Sequence, residues 1–374
     1  MQQIPIVIVG GGASGLFCAV QVAEKLGGKN ILILEAGKRV GTKLLATGNG
    51  HCNLTNLRAS QEHYHGDVKK AEVLLQKYSP ETVMESFQKI GLLCREEGEG
   101  RVYPYSMQAS SVLNLLRARL ESLGVRECCE FEVVEIQKDG NGFLLSSKDH
   151  EKIRAQTCIL ATGGKSSAKF SSGYDLLRQL GHMVSSLKPG LCPIFVEEQQ
   201  KIRTLKGIRA RGMVTLLRKG KVIACAMGEI QFTAQGLSGI CIFDLSGKAL
   251  PGDLISLDLA PEYDVKTLKL LAEACDGSLQ GVLPKALAAI CTPENCKHLQ
   301  FTVQKTAPFQ NAQITVGGVP LDEIDESCES RKVRGLWILG ELLNLNGDCG
   351  GFNLHWAWIT AMAAAEKISR EGTI

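Results

Sequence analysis

The sequence lacks several patterns that would assign it to a common class of protein. Its 14 cysteines are scattered and include no Cys-x-x-Cys pair, the spacing typical of zinc sites and redox dithiols. No apolar run approaches the roughly 18 residues that a membrane-spanning helix needs. The first residues do not combine a basic stretch, an apolar segment and a cleavage site, so we expect a cytoplasmic protein with no membrane partner.

Charge of either sign is not in large excess. The chain has 42 Lys and Arg against 39 Asp and Glu, which leaves a net charge of +3. So small an excess does not favour a polyanion as a partner, and we expect a small-molecule substrate rather than nucleic acid. The 374 residues, 44% of them hydrophobic, suffice for two or three packed domains. The sequence indicates no particular oligomeric state.

Glycine, in contrast, is abundant, and its 40 residues fall into short clusters. In "VIVGGGASG", Gly10, Gly12 and Gly15 have G-x-G-x-x-G spacing after an apolar run and before a helical pattern. This spacing provides a tight turn, a close approach of backbone to a diphosphate, and close helix packing. Glu35 follows the next apolar run, where its carboxylate can accept hydrogen bonds from ribose hydroxyls. The pattern predicts a βαβ unit that binds a dinucleotide.

Two later glycine turns favour FAD over NAD as that dinucleotide. Ala161 to Gly164 follows a strand candidate, and Gly340 and Glu341 follow another near the end of the chain. The loop 347–353 then opens the last helix, and its amides suit the negative charge that collects at flavin N1 and O2 on reduction. Asn353 can also cap that helix. A chain that returns to its cofactor after an insertion fits the long FAD molecule better than a compact NAD domain does.

Apolar periodicity gives a coarse organisation around these turns. We predict strands at 4–9, 31–34, 153–160 and 336–339, helices at 16–26, 68–78 and 112–123, a hairpin around 139–142 and a final helix. The middle of the chain is richer in strand patterns, with one helix near 265–274. We therefore expect a cofactor domain in two parts, 1–190 and 311–374, interrupted by an inserted substrate domain at 191–310.

The chain resembles a bacterial flavoprotein family that includes aminoacetone oxidase and 3-dehydro-bile-acid reductase members. The resemblance runs nearly end to end and is carried by the amino-terminal glycine loop and by "KLLATGNGHCNLTN", "GRVYPYSMQASSV", "ATGGKS", "GEIQFTAQGLSG", "AQITVGGV" and "GELLNLNGDCGGFNLHWAW". It implies an α/β fold, with a Rossmann-like FAD-binding domain interrupted by a mostly β substrate domain that has a small helical subdomain. It also implies non-covalent FAD.

The glycine turns and the resemblance together give a set of residues expected to contact FAD. They are Gly10, Gly12, Ala13, Ser14, Gly15, Glu35, Ala36, Lys43, Gly48, Asn49, Gly50, Cys52, Asn53, Leu54, Val134, Ala161, Thr162, Gly163, Gly340, Glu341, Gly351, Phe352 and Asn353.

The segment "GNGHCNLTN" within this set has several interpretations. A metal site would draw on His51, Cys52, His63 and His65, but their spacing matches no usual ligand pattern, and no metal is expected. A nucleophilic Cys52 would need a nearby base and a depressed thiol pKa, neither of which the sequence shows. A redox pair of Cys52 with Cys349 would require an apposition that a sequence does not reveal.

We interpret the segment instead as a wall of the flavin site. Small Gly48 and Gly50 would admit the ring, and Asn49 and Asn53 would bond its polar edge. His51 would then point into the substrate pocket as a proton donor or substrate orienter, or would merely pack against the loop.

Three side chains are candidates for catalysis beside the flavin N5, which carries the chemistry. They are His51, His355 and Tyr103, and Arg101 can hold an anion nearby. His51 stands where the family usually has arginine or lysine, and His355 where it usually has glutamine. The loss of a cation at position 51 leaves the charge of the substrate open.

The most favoured function is an FAD-dependent oxidoreductase that exchanges hydride with a partly hydrophobic organic substrate. NADH or NADPH would reduce it transiently, and the acceptor would be enone-like or steroid-like. The alternatives are a flavin amine oxidase that produces hydrogen peroxide, and a flavin-bound redox sensor or electron-transfer protein suggested by the many cysteines. An NAD dehydrogenase without flavin is a further alternative, and it would purify colourless.

Overall fold

The computed structural model describes residues 3–166, 170 and 173–372 of the chain. It divides into two compact units, a main unit of Met1–Leu187 with Ile314–Ile374 and an inserted unit of Lys188–Gln313. The strand patterns of the sequence predict an inserted domain at 191–310, close to these bounds.

The first part of the main unit alternates strands and helices. Its strands are β1 Gln3–Val9, β2 Ile31–Leu34, β3 Thr55–Asn56, β4 Tyr64–Gly66, β5 Cys94–Glu96, β6 Arg101–Pro104, β7 Arg126–Cys128, β8 Val133–Asp139, β9 Gly142–Ser147 and β10 Lys152–Leu160. Its helices are α1 Ala13–Leu26, α2 Thr42–Ala46, α3 Val68–Lys77, α4 Pro80–Lys89, α5 Ala109–Leu123 and α6 Gly173–Gln179.

The inserted unit and the return of the chain complete the element order. The inserted unit contains β11 Lys188–Gly190, β12 Ile194–Val196, β13 Arg209–Arg218, β14 Lys221–Phe232, β15 Gly236–Ser238, β16 Leu254–Asp258 and β17 Leu299–Thr306, with α7 Gln199–Thr204, α8 Ile240–Ser246, α9 Val265–Glu273 and α10 Lys285–Ala288. The chain returns to the main unit with β18 Ile314–Val316, β19 Leu336–Ile338, β20 Leu345–Gly347 and α11 Phe352–Glu371.

The core of the main unit is a seven-stranded sheet in the order β7-β2-β1-β10-β9-β8, with β19 also paired to β10. Strands β1, β2, β10 and β19 are parallel. Strands β1, β2 and β19 and the end of β10 at 158–160 consist of nearly continuous apolar residues, as expected when both faces of a sheet are covered. Helices α1 and α11 are largely buried. The predicted strands, the three predicted helices and the hairpin at 139–142 are all present.

The register of this sheet brings the three glycine turns to one edge. Val9 pairs with Leu160, and Leu160 pairs with Ile338, so β1, β10 and β19 end side by side. Ligands of open α/β sheets bind outside the carboxyl ends of such strands. The main unit also has two small sheets, β3-β6-β5 and β20-β4. Strand β3 follows the polar segment 47–54, and β20 precedes the polar loop before α11.

The inserted unit is built on a closed barrel of antiparallel strands in the order β12-β15-β14-β13-β16-β17. Its core is formed by apolar residues such as Val214, Ile230, Phe232 and Phe301, all fully buried. The predicted helix near 265–274 is present as α9, and α7, α8 and α10 add a small helical part. Within the described residues, no helix has the length and apolar character needed to span a bilayer.

Candidate functional site

The first glycine turn contains three glycines with three different constraints. Gly10 has a φ of +107°, and a Cβ there would lie 2.5 Å from the carbonyl oxygen of Ala161. A Cβ on Gly15 would lie 2.0 Å from the carbonyl oxygen of Gly10, so this glycine is required for packing. A Cβ on Gly12 would meet nothing closer than 3.8 Å. The open space is therefore at Gly12, beside the amides that begin α1.

Glu35 fixes the end of β2 against this turn. Its Oε2 accepts a hydrogen bond of 2.9 Å from the amide of Gly11, and its Oε1 accepts one of 2.7 Å from the amide of Gly37. The carboxylate is thus held in one orientation beside the open space at Gly12. Its unused lone pairs fit an acceptor of ribose hydroxyls.

Val134 lies at a break in the pairing of β8 and β9, since the register shifts between Val133 and Glu135. Its carbonyl oxygen accepts a hydrogen bond of 3.3 Å from Gln179 Nε2. Such an irregularity often redirects backbone groups next to a functional site.

Glu341 joins the second and third glycine turns. Its Oε1 accepts hydrogen bonds from the Thr315 amide at 2.6 Å and the Ser166 hydroxyl at 3.2 Å, and its Oε2 lies 2.7 Å from Lys43 Nζ. Burial opposes ionisation of Glu341, but the charge and hydrogen bond of Lys43 outweigh it and lower the pKa of the carboxyl. Lys43 and Glu341 were both expected at the cofactor, and the structure brings them together.

Gly340 differs from its expected role. Its amide donates to Thr360 Oγ1 at 3.0 Å, and its carbonyl oxygen accepts from the Trp356 indole at 3.1 Å. A Cβ at this position, where φ is +61°, would lie 3.2 Å from Ser14 Oγ. Gly340 therefore serves the packing of α1 and α11, and its own polar groups are already bonded.

The segment Thr47–Gly50 forms a 3₁₀ turn whose backbone is unusual. Asn49 and Cys52 have φ values of +55° and +58°, although neither is glycine. Backbone in this region is strained for residues with a side chain, and such strain is often retained at functional sites. Residues 48–51 are exposed, whereas Cys52 is buried.

Asn53 presents an unpaired polar atom next to the last loop. Its Oδ1 is buried and has no hydrogen-bond partner among the described residues. A Cβ on Gly351 would lie 2.7 Å from this oxygen, so the two residues are in contact only because Gly351 has no side chain. A buried acceptor without a donor is costly unless a ligand supplies one. The imide N–H of a flavin is such a donor, and the residues present therefore fit a flavin.

The loop before α11 is held by side-chain amides. Asn56 Nδ2 donates to the carbonyl oxygen of Gly350 at 2.8 Å. Asn353 donates to the carbonyl oxygen of Gly347 and accepts from its amide, each at 2.8 Å. Asn353 is therefore not the cap of the helix, as the sequence had suggested, because Gly351 occupies that position without a side-chain cap. The first amides of α11 are left for another acceptor.

His51 directly follows the Thr47–Gly50 turn, and Tyr103 packs against that turn. His51 is exposed, and its Nδ1 donates to the carbonyl oxygen of Met107 at 2.6 Å, which leaves Nε2 available for proton transfer. The Tyr103 ring lies 3.4 Å from the position that a Cβ on Gly48 would take. Burial raises the pKa of the Tyr103 hydroxyl, so it is protonated at neutral pH. Arg101 is paired with Glu99.

Three expected site residues are enclosed by protein. His355 is fully buried, bonds Thr55 Oγ1 through Nδ1 at 2.8 Å, and has a pKa lowered by burial to about 4. This enclosure gives no support to the predicted catalytic role of His355. Leu54 is fully buried, its amide donates to Val102 and its carbonyl accepts from Trp358, so both of its backbone polar groups are already bonded. Trp358, on α11, anchors the backbone at Leu54 through this hydrogen bond.

Cys52 is the third enclosed residue. It is fully buried, and burial raises the pKa of its thiol to about 12. A protonated, inaccessible thiol is not a nucleophile.

Asp348, the acidic member of a cluster with His63 and His65, was not predicted from the sequence. Asp348 accepts hydrogen bonds from His63 and His65, which had been weighed only as metal ligands. His65 lies in β4 and His63 directly precedes that strand, so the signal in the sequence is the His-x-His spacing itself. Among the described residues, no group of three His, Cys, Asp or Glu side chains is arranged to hold a metal ion.

Comparison with known proteins gives three similarities. Residues 4–367 match the model of a family described as HI0933-like protein Rossmann domain. The chain is 34% identical to the 3-dehydro-bile acid delta(4,6)-reductase of Clostridium scindens, over 97% of the chain and 99% of the relative. It is 28% identical to the ribosomal RNA dihydrouridine synthase of Haemophilus influenzae, over 98% of each.

A solved structure shows the same fold. The 3-ketosteroid-delta4-(5alpha)-dehydrogenase of Rhodococcus jostii superposes with a TM-score of 0.54 and 12% identity, over 97% of each chain. The predicted resemblance and fold class are confirmed by these comparisons. The predicted enzyme class, an oxidoreductase of the flavoprotein type, is confirmed as well.

Proposed function

Because the chain belongs to the HI0933-like Rossmann family, we propose that it binds FAD non-covalently and reduces a carbon–carbon double bond conjugated to a carbonyl group. The observation that carries this proposal is the relative 34% identical over nearly its full length, which is named as a delta(4,6)-reductase of a 3-dehydro-bile acid. A double bond at that place in a 3-oxo steroid is conjugated to the ketone. The uracil ring that a dihydrouridine synthase reduces contains the same arrangement, with its C5–C6 double bond conjugated to the C4 carbonyl.

The residues proposed to hold FAD come from the turns at the sheet edge. The amides at Gly12 and the start of α1 would receive the diphosphate, and Glu35 the ribose. Asn53 Oδ1 would accept from the flavin imide, and the free amides of α11 would face the pyrimidine edge. When bound, FAD supplies a hydride from N5 to the β-carbon of the conjugated bond.

The α-carbon of such a bond must then receive a proton. His51 is the proposed donor: its imidazolium form would give the proton from the accessible Nε2, and the neutral ring that remains keeps its Nδ1–H bond to the Met107 carbonyl oxygen. Tyr103 is the second candidate, since its hydroxyl is protonated and its ring contacts the same loop. Either group would act by holding a proton at one atom beside the reacting carbon.

NADH or NADPH is the proposed electron donor. The sequence contains a single G-x-G-x-x-G unit after a strand, so a nicotinamide would bind transiently. The test is anaerobic addition of NADH or NADPH to the yellow protein, followed by a 3-oxo steroid with conjugated double bonds at C4 and C6. We expect the flavin absorption to bleach and then to return as the acceptor is reduced. Bleaching by amines alone, with hydrogen peroxide formed in air, would instead support an amine oxidase.

A second candidate substrate is a uracil ring within an RNA, and a charge pattern of the inserted unit favours it. Between residues 199 and 228 the chain has eight basic residues and no acidic one, although its overall charge is small. They are Lys201, Arg203, Lys206, Arg209, Arg211, Arg218, Lys219 and Lys221. Arg218 and Arg209 are paired with acids. In the described structure, Arg203, Lys206, Arg211, Lys219 and Lys221 form no ion pair and are exposed.

Dihydrouridine formation separates the two candidates. RNA lacking the modification is incubated with the reduced protein, and its dihydrouridine content is measured beside steroid reduction. If RNA is the substrate, the double variant R203E/K206E should weaken RNA binding and lower its salt dependence by about two counterions. The variant K285E, at an exposed lysine outside the basic segment, is the matched control. Steroid reduction without any RNA binding would exclude this second candidate.

A further inference from the structure

The residues His63, His65 and Asp348 form a clamp on the loop that precedes α11. Asp348 Oδ1 lies 2.7 Å from His65 Nε2, and Oδ2 lies 3.2 Å from His63 Nδ1. The backbone supports the same contact, because the Asp348 amide donates to the His63 carbonyl oxygen at 2.9 Å. The three side chains are a quarter to a third exposed, so they are neither core residues nor freely solvated.

The clamp is built on a strand pair. Strands β4 and β20 are antiparallel, with Tyr64 opposite Gly347 and His65 opposite Asn346. His65 lies in β4 and His63 directly precedes it, and the two rings contact different oxygens of the carboxylate that follows β20. The ring of His63 also stacks on the ring of Phe352 at 4.5 Å and 17°. The clamp thus touches both the start of the loop and the first residue of α11.

The clamped loop leads directly to the amides assigned to the flavin. Cys349, Gly350 and Gly351 follow Asp348, and the two glycines have φ values of +132° and +103°. Glycines with such backbone angles have many accessible conformations, so the loop needs fixed ends to hold its amides in one place. Asn56 fixes Gly350, and the clamp fixes the other end.

The charge of the clamp is also near the proposed pyrimidine edge. A carboxylate there opposes the negative charge of a reduced flavin, and the two imidazoles offset it by hydrogen bonding. Burial opposes ionisation of Asp348, but the hydrogen bonds and charges of His65 and His63 outweigh it and lower the pKa of the carboxyl. The carboxylate is therefore charged at neutral pH.

We propose that His63, His65 and Asp348 are positioning residues that fix the first amides of α11 against the flavin and set its reduction potential. This inference rests on the proposed FAD site. The negative charge of Asp348 disfavours the reduced flavin and therefore lowers the reduction potential. His65 offsets that charge and therefore raises the potential.

The test uses the holoprotein and its apoprotein after removal of FAD. The variants are D348N, H65A and H65Q, with D322N as a control at an exposed carboxylate paired only with Lys70. Both D348N and H65A should raise the Kd of FAD by about tenfold, since each loosens the loop by one charged hydrogen bond. The midpoint potential should become more positive in D348N and more negative in H65A. H65Q, which retains a donor near Nε2, should restore most of both values.

A purely structural clamp predicts another outcome. It would lower the thermal stability of the apoprotein in D348N and H65A and would shift both potentials in one direction or in neither. Equal Kd values and potentials in the wild type and D348N would overturn the inference while leaving the proposed function intact. A wild-type protein that retains no FAD at all would instead overturn the proposed function itself.

Discussion

Lys43 Nζ lies 2.7 Å from Glu341 Oε2, although the two residues are 298 positions apart. The contact joins α2, near the first glycine turn, to the turn that follows β19 near the end of the chain. Glu341 also accepts from the Thr315 amide, so one carboxylate ties three segments of the main unit together. The site depends on this convergence, because each segment alone is a short loop.

Replacing Glu341 should cost more stability than replacing Lys43. E341A leaves the Thr315 amide unpaired and should lower the free energy of unfolding by about 1 to 3 kcal/mol. K43M removes only a partly exposed partner and should cost less than about 1 kcal/mol. Urea unfolding of both variants checks the order. A larger loss in K43M would show that the ion pair, rather than the backbone bonds, holds the turns.

The same carboxylate predicts an acid dependence. The pKa of Glu341 is lowered in the folded protein, so its contribution is complete above the unfolded value of about 4.3 and is lost as pH falls through the folded value. The stability difference between wild type and E341Q should therefore shrink at acid pH. A difference that stays constant down to pH values below the folded pKa would contradict this assignment.

Variants of Gly12 and Gly15 in the first turn should separate effects on FAD binding from effects on stability. G12A places a methyl group in open space and should leave stability within about 0.5 kcal/mol of wild type while weakening FAD binding. G15A forces a contact with the Gly10 carbonyl and should destabilise the protein by about 2 kcal/mol or more. Thermal unfolding and flavin content of purified protein measure the two effects. Normal flavin content in G12V would remove this turn from the cofactor site.

The proposed proton donors can be distinguished by conservative variants. H51Q removes the titratable nitrogen, and Y103F removes the hydroxyl while keeping the ring. The variant that loses the donor should have a kcat for acceptor reduction lowered by about 100-fold, with reduction of the flavin by NADH or NADPH unchanged. Stopped-flow measurement of the two half-reactions checks this. Near-normal kcat in both variants would assign the proton to water or to another group.

Much of the cofactor unit could be predicted from the sequence because its signals are local. The strand β1, the glycine spacing and Glu35 lie within one βαβ unit, and hydrophobic periodicity identifies α1 and α5. Helix α8 was not predicted, because "ICIF" is a short apolar run without a period and does not distinguish helix from strand.

The contacts that build the site could not be predicted in the same way, because they are long-range. His355 was expected in the pocket from its place in a motif, yet the turn of α11 directs it to Thr55 in the interior. Ser166 and Thr315 gave no signal because a single hydroxyl residue has no distinctive spacing, and only the fold brings them to Glu341. Asp348 was interpreted only as part of a loop, since its histidine partners lie 285 and 283 residues earlier in the chain.

The burial of His355 gives the last prediction. Its pKa is lowered to about 4 in the folded protein, against about 6.5 in the unfolded chain, because burial disfavours the charged ring. Between these values the unfolded chain binds more protons, so stability is complete above the unfolded value and falls as pH decreases from about 6.5 towards 4. This residue should account for about 2 kcal/mol of the loss between pH 7 and 5.

The matched variant is H355Q, whose amide can still bond Thr55 Oγ1 but does not titrate. Its free energy of unfolding should vary less between pH 7 and 5 than that of the wild type, by the same amount, in urea titrations at both pH values. H150Q, at an exposed histidine in a turn, should behave like the wild type. Parallel pH profiles for wild type and H355Q would mean that the folded state accommodates a charged His355, and that this ring has access to water or to an anion.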